Sequence, residues 1–249
     1  IAVLTAGFVQ LLLNFFVVFY LGVLPKLTVY FDRNTLKSFF NKFIPAIFAA
    51  GVYQLNVLVD TIFASFLVTG SPTWLYLSER LIQFPLGLFG VAVALVSLPN
   101  LTELFLKNEM KQISSLSFKI LGLLFSMGIG CFLGAYFLGD LIIQLLFKRG
   151  EFTFFDVEMT YLALQGYAIS LVFLLPQKYF NSLFFAISRT SMVVLTGVLA
   201  LMTNLILNYY FIFELDLGHY GLALATSVSS IIVFFVSIFW LFRQKILMV

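Results

Sequence analysis

The sequence predicts an all-α, polytopic transmembrane protein of about seven membrane helices, and three observations carry that prediction. The 249 residues are 62% hydrophobic and only 10% charged, with 32 Phe. Mean hydropathy is +1.08, far above any soluble globular domain. Apolar runs of about 20 residues alternate with short polar clusters, which is the pattern of helices that each cross a bilayer.

The first run, about Ile1 to Leu24, carries Gln10 and Asn14 on one face and ends at Pro25-Lys26. It begins on Ile with no charged flank, so the chain is expected to be a piece of a longer protein rather than one with a signal peptide. Residues 32–43 follow, with Leu36, Phe39, Phe40 and Phe43 on one side and Lys37 and Asn41 on another, as in a short helix lying in the membrane interface. Together these form a first region, 1–43, and the six remaining crossings a second, 44–249.

The second crossing, about Ile44 to Val68, places Tyr53, Asn56, Asp60 and Ala64 on one helical face. A turn at Thr69-Gly-Ser-Pro-Thr73 reverses the chain into the third, residues 71–101. There Tyr76, Arg80, Gln83, Gly87, Gly90, Ala94 and Ser97 share a face, with Glu79 beside Arg80. A charge inside a membrane helix costs about 2.5 kcal/mol or more and usually faces a partner or a water-filled cavity. Arg80 is therefore assigned to a cavity, the alternative being that it snorkels to the interface and that the small residues serve helix packing. Asp60 and Arg80 both lie about 14 to 16 Å below the turn, so either they pair or share a polar site, or they sit on faces that never meet.

The fourth crossing, about Leu116 to Leu138, has Gly122, Gly128, Gly130 and Gly134 as close-contact positions. The loop to the fifth contains Gly150, suited to a left-handed cap, and Thr153 or Asp156 as N-cap. The fifth crossing, about Val157 to Phe173, is expected to end or kink at Pro176, leaving Lys178 and Arg189 in a link. The sixth, about Met192 to Phe213, carries Asn204 and Asn208 four apart, a spacing for interhelical hydrogen bonds. The seventh runs from Tyr220 to Phe242.

Seven crossings put eleven of the 14 Lys and Arg on one side, Lys148 and Arg149 on the other, and Arg80 in the membrane. The positive-inside rule then places the amino end outside and the carboxyl end in the cytoplasm. The net charge of +3 follows from that topology rather than from nucleic-acid binding. The lone Cys131 excludes an internal disulfide, and neither a cofactor nor a metal site is expected. No zinc-binding His-Glu helix, Ser-His-Asp set or acidic metal cluster supports a membrane-embedded enzyme. A structural scaffold would account for the glycines but not for Asp60 and Arg80.

Four stretches resemble the MurJ (MviN) lipid II flippases: Val59-Asp-Thr-Ile-Phe-Ala-Ser-Phe-Leu67, Ser78-Glu-Arg-Leu-Ile-Gln-Phe-Pro-Leu-Gly-Leu-Phe-Gly-Val-Ala-Val-Ala94 continuing to Leu98-Pro-Asn-Leu101, Leu146-Phe-Lys-Arg-Gly-Glu-Phe-Thr153 and Tyr220-Gly-Leu-Ala-Leu-Ala-Thr-Ser227. The second is the specific one. The resemblance implies helices six to twelve of a fourteen-helix, two-lobed exporter that moves lipid II by alternating access in the bacterial inner membrane. It implies a lipid-linked cell-wall precursor as substrate, membrane lipids as surroundings and cell-wall synthesis proteins as possible partners. Arg80 matches the family's cavity arginine; Asp60, Glu79, Asn56 and Gln83 complete the expected substrate-binding set. Glu79 stands where many members have Asp, and Phe184-Phe-Ala-Ile-Ser-Arg-Thr190 lacks the family's usual Asp and the Pro after Thr. A related exporter of another lipid-linked oligosaccharide or of a drug is the alternative.

Overall fold

Helices account for all the regular structure among the described residues of the computed structural model, which are 2–22 and 32–247, without the side chains of 2, 3, 34, 35, 38, 41, 42, 45–50, 52 and 53. The helices are α1 (Ala2–Tyr20), α2 (Arg33–Ala64), α3 (Ser71–Leu106), α4 (Met110–Phe147), α5 (Phe154–Ala186), α6 (Thr190–Glu214) and α7 (Gly218–Arg243). The last five are long and apolar enough to cross a membrane, and Leu4–Tyr20 and Gln54–Ala64 are shorter apolar stretches. The polytopic helical class is thus as the sequence predicts.

Two compact units divide the chain, Ile1–Lys42 and Phe43–Val249. The first holds α1, whose Phe8, Leu11, Phe16 and Phe19 are exposed. The short interfacial helix expected over 32–43 is not separate, because its residues are the start of the unbroken helix α2. The chain break expected at Pro25-Lys26 lies outside the described residues.

In the second unit α5 is the central rod, packed on α3, α4, α6 and α7. Its Tyr179, Phe180, Leu183 and Phe184 are fully buried among Leu101, Ile113, Leu124 and Phe234. Phe180 stacks on Phe234 with ring centroids 5.4 Å apart, and Phe125 meets the same ring edge-on at 5.3 Å. Such aromatic contacts replace the hydrophobic driving force that is absent between helices in lipid. Large apolar side chains on the outer faces, among them Leu95, Val96, Phe137, Leu145 and Phe239, are exposed, as hydrocarbon-facing positions require.

Local chemistry sets the ends and irregularities of these rods. Thr153 is the N-cap of α5 in a capping box with Asp156, whose carboxylate accepts from the Thr153 backbone N–H at 2.8 Å. Gly150, before it, has φ +60°. Trp74 Nε1 donates to the other oxygen of Asp156 at 2.9 Å, tying the start of α3 to that of α5. Within α3 a π-turn, Leu86–Val91, follows Pro85, where the missing N–H loosens the α-helical ladder. Pro176 neither ends nor breaks α5, contrary to expectation. It is buried among neighbouring helices, and a membrane helix tolerates an internal proline where the surroundings hold the freed backbone in place.

Candidate functional site

The second unit encloses a cavity of about 650 Å³ with walls from α2, α3, α5, α6 and α7. Asn56, Val57, Asp60 and Thr61 form the α2 wall. Tyr76, Glu79 and Gln83 are the polar residues of the α3 wall, and Ser170, Gln177, Lys178 and Asn181 those of α5. Thr196 and Asn204 on α6 face Thr226, Ser229 and Ser230 on α7. Most of the lining surface is apolar, with Leu75, Ile82, Leu174 and Val233 among the polar groups, so the cavity suits an occupant with both apolar and polar parts; hydrocarbon alone would leave the polar groups unsatisfied.

Four of the five expected site residues, Asn56, Asp60, Glu79 and Gln83, line this cavity together. Arg80 does not; it is exposed, and its two contacts are the cavity residues Tyr76 and Gln83. Its guanidinium carbon lies 4.7 Å from the Tyr76 ring centroid, and one terminal nitrogen donates to Gln83 Oε1 at 3.1 Å. Gln83 Nε2 in turn donates to Glu79 Oε1 at 2.7 Å. Arg80 therefore sits at the rim, and Glu79 takes the inward position on α3.

The ion pair between Asp60 and Arg80 does not form. Asp60 Oδ1 instead accepts from Asn208 Nδ2 at 2.7 Å, and among the described residues the one ion pair is Glu103 with Lys107 at 2.6 Å. Equal depth below a turn fixes height but not azimuth, and α2 is rotated so that Asp60 meets α6. The face of α3 is likewise rotated by part of a turn from the expected stripe, which keeps Tyr76 and Gln83 and exchanges Arg80 for its neighbour Glu79. The side chain of Tyr53, part of the α2 stripe, lies outside the described residues.

The asparagine pair on α6 works as its spacing predicts. Asn208 Nδ2 also reaches Asn204 Oδ1 at 2.8 Å, and Asn204 Nδ2 donates to Thr226 Oγ1 on α7 at 3.2 Å. This relay joins three helices to one carboxylate. Thr203 and Ser229 add a hydroxyl contact of 3.0 Å between α6 and α7.

Lys178 is the functional candidate that sequence reasoning misses. With α5 continuous through Pro176, it lies eight residues before the helix end and on the cavity wall, not in a link. The available signal was the apolar residues Tyr179, Phe180, Leu183, Phe184, Phe185 and Ile187, which continue at helical spacing past the proline.

The described residues thus define a helical membrane protein with a cavity that carries polar and charged groups on each wall. Comparison with known proteins supplies the family: the model described as "Lipid II flippase MurJ" matches residues 1–248, and the chain belongs to that family. It is 38% identical over 187 residues to the probable lipid II flippase MurJ of Vibrio cholerae, covering 75% of this chain and 35% of that protein. With the corresponding protein of Buchnera aphidicola from Acyrthosiphon pisum it shares 30% over 248 residues, 98% of this chain and 48% of the relative. The chain thus spans half or less of the length of these relatives. A solved structure of lipid II flippase MurJ in an inward closed conformation superposes with TM-score 0.72 at 29% identity, over 88% of this chain and 45% of that one. An outward-facing multidrug MATE transporter superposes equally well, TM-score 0.72, at 18% identity over 81% and 44% of the two chains, a likeness of fold alone.

Proposed function

We propose that the chain is part of a lipid II flippase that carries the pyrophosphate-linked peptidoglycan precursor across the bacterial inner membrane by alternating access, with no chemical step. The family match over residues 1–248 carries this reading. The cavity supports it, because a polar headgroup crossing hydrocarbon needs a polar enclosure. Residues 44–249 are the carboxyl-terminal lobe, and residues 1–43 bring the helix before it. The amino end is outside and the carboxyl end cytoplasmic, as the basic residues favour. Membrane lipids surround the bundle, and cell-wall synthesis proteins are its natural partners.

Arg80 is the phosphate-reading residue at the rim. Among the described residues only one of its nitrogens is engaged, by Gln83, and the rest of the planar fork can meet two phosphate oxygens. Asn56, Asp60, Glu79 and Gln83 form the headgroup wall behind it. In the full-length protein, Arg80→Lys keeps charge but loses the fork and is expected to lower lipid II translocation about tenfold per inserted molecule, equivalent to about 1.4 kcal/mol. Arg80→Ala falls further. Wild-type translocation by a normally abundant Arg80→Ala variant would remove the phosphate role.

A further inference from the structure

The buried face of α3 changes phase at its π-turn. Above the turn the buried residues include Ser71, Leu75, Ser78 and Ile82, and below it Gly90, Ser97 and Leu101. Seven residues, about two α-helical turns, separate Ser71 from Ser78, Leu75 from Ile82 and Gly90 from Ser97. Eight separate Ile82 from Gly90. The π-turn at Leu86–Val91 therefore holds one residue more than a regular helix needs, and with it both halves of α3 face α5.

Both halves are tied to α5, and the stretch between them is held less. Above, Trp74 donates to Asp156, and Ser78 Oγ donates to Thr160 O at 2.7 Å. Below, Ser182 Oγ donates to Ala94 O at 2.7 Å, and a Cβ at Gly90 would stand 3.1 Å from Leu175 Cδ2. Between Ser78 and Gly90 the side-chain hydrogen bonds among the described residues stay within α3, Arg80 to Gln83 and Gln83 to Glu79, and Ile82 is the one buried residue. Pro85 has no N–H for the carbonyl of Leu81, and a Cβ at Gly87 would meet open space, so this stretch is the easiest part of α3 to rewind.

An extra residue can sit at any turn of a helix, and moving it along the rod rotates everything it passes by about 100°. Carried up to the turn that follows Ser78, it leaves the ties at both ends in place and puts each intervening residue where its predecessor stood. Arg80 then takes the cavity position of Glu79, Phe84 that of Gln83 and Gly87 that of Leu86. We propose that the π-turn of α3 is a register switch in the working cycle, exchanging the carboxyl group of Glu79 for the guanidinium of Arg80 on the cavity wall while the ends of the helix stay fixed. The sequence suits both registers. Arg80, Gly87, Gly90, Ala94 and Ser97 share one stripe in an unbroken helix, whereas Tyr76, Glu79 and Gln83 line the cavity with the extra residue at 86–91. The switch replaces an acidic group by a basic one and does not depend on what the cargo is.

The test uses the full-length protein, cysteine-free except for a pair of spin labels, with distances read by double electron–electron resonance. One label sits at exposed Phe84 and the other at exposed Leu145 of α4 or, in a second pair, at exposed Met202 of α6, so that a rotation hidden from one reference shows in the other. A rotation of about 100° carries a group at the edge of a helix about 9 Å. Phe84 is therefore expected to show two distances, and labels at Thr73 and Leu106, beyond the ties, one each. A single distance at Phe84, or equal splitting at all three sites, overturns the switch. Deletion of exposed Leu88 removes the extra residue, brings Ile82 and Gly90 to the seven-residue interval and leaves both ties in phase. This variant is expected to insert normally, to show one distance at Phe84 and to lose lipid II translocation by about tenfold or more. Two distances in the deletion variant, or wild-type translocation by it, overturns the proposal. If the wild type shows two distances at Phe84 yet moves no lipid II, the register switch stands and the flippase reading fails.

Discussion

Gly128 on α4 offers the sharpest test of how these helices pack. A Cβ placed there would lie 2.8 Å from Val172 Cα, 3.1 Å from Leu171 O and 3.4 Å from Val172 N, all backbone atoms of α5. A backbone cannot rotate aside, so Gly128→Ala must push two long rods apart. Gly130, two residues on, has nothing within 4 Å of the same position. Both substitutions gain the same intrinsic helix preference of Ala over Gly, about 1 kcal/mol. The difference between them isolates the packing cost, which for forcing a methyl group into a filled interface is about 1–3 kcal/mol. The assay is reversible unfolding of the two full-length variants in mixed micelles. Gly130→Ala is expected at or above wild-type stability and Gly128→Ala below it by that margin. Stabilities within about 0.5 kcal/mol of each other would refute the close contact between α4 and α5.

Two further predictions concern the polar groups and the topology. In a double-mutant cycle, Asp60→Asn and Asn208→Ala should be non-additive by about 0.6–1.7 kcal/mol, the range for interhelical hydrogen bonds in membranes, whereas Asp60→Asn and Arg80→Gln should add within about 0.5 kcal/mol. Coupling of Asp60 to Arg80 instead would restore the ion pair that the geometry denies. Cysteines at Thr69 and Lys107, at opposite ends of α3, should be labelled by an impermeant reagent from opposite sides, Thr69 from outside, and same-side labelling would refute that α3 crosses.

The helices were legible because each apolar run is long and bounded by polar clusters, and the same periodicity found Tyr76 and Gln83 on the cavity face of α3. What periodicity does not contain is the rotation of one rod against another. A shift of part of a turn replaces Arg80 by Glu79, and the partner of Asp60 is Asn208, 148 residues away in sequence. Asn204 and Asn208 were readable as a bonding pair from their spacing, but their target was not. Lys178 was hidden by a rule that holds in water, where a proline breaks a helix. In lipid an unpaired backbone has no alternative partner, so α5 continues and takes the lysine inside. Rotation likewise separates the five α4 glycines, of which Gly139 meets the Leu164 and Tyr161 side chains of α5. Gly128 alone meets a backbone, while Gly122, Gly130 and Gly134 have open space, a distinction set by which side of α4 turns toward α5.

The way the carboxylates are held bears on what the cavity can bind. An amide donor such as Asn208 or Gln83 satisfies an oxygen of Asp60 or Glu79 without cancelling its charge, whereas a salt bridge would cancel two charges at once. Had Asp60 paired with Arg80, an arriving anion would have had to displace a carboxylate from the guanidinium, and the leftover carboxylate would then have repelled it. With amides on the acids, neither Arg80 nor Lys178 is in an ion pair among the described residues. The carboxyl groups remain on the same walls, and wherever one is ionised it weakens anion binding within its reach. Under the proposed flippase reading both effects are useful, because a headgroup must be taken up and then let go. The opposing charges in one cavity are thus consistent with passage rather than with tight storage of an anionic ligand.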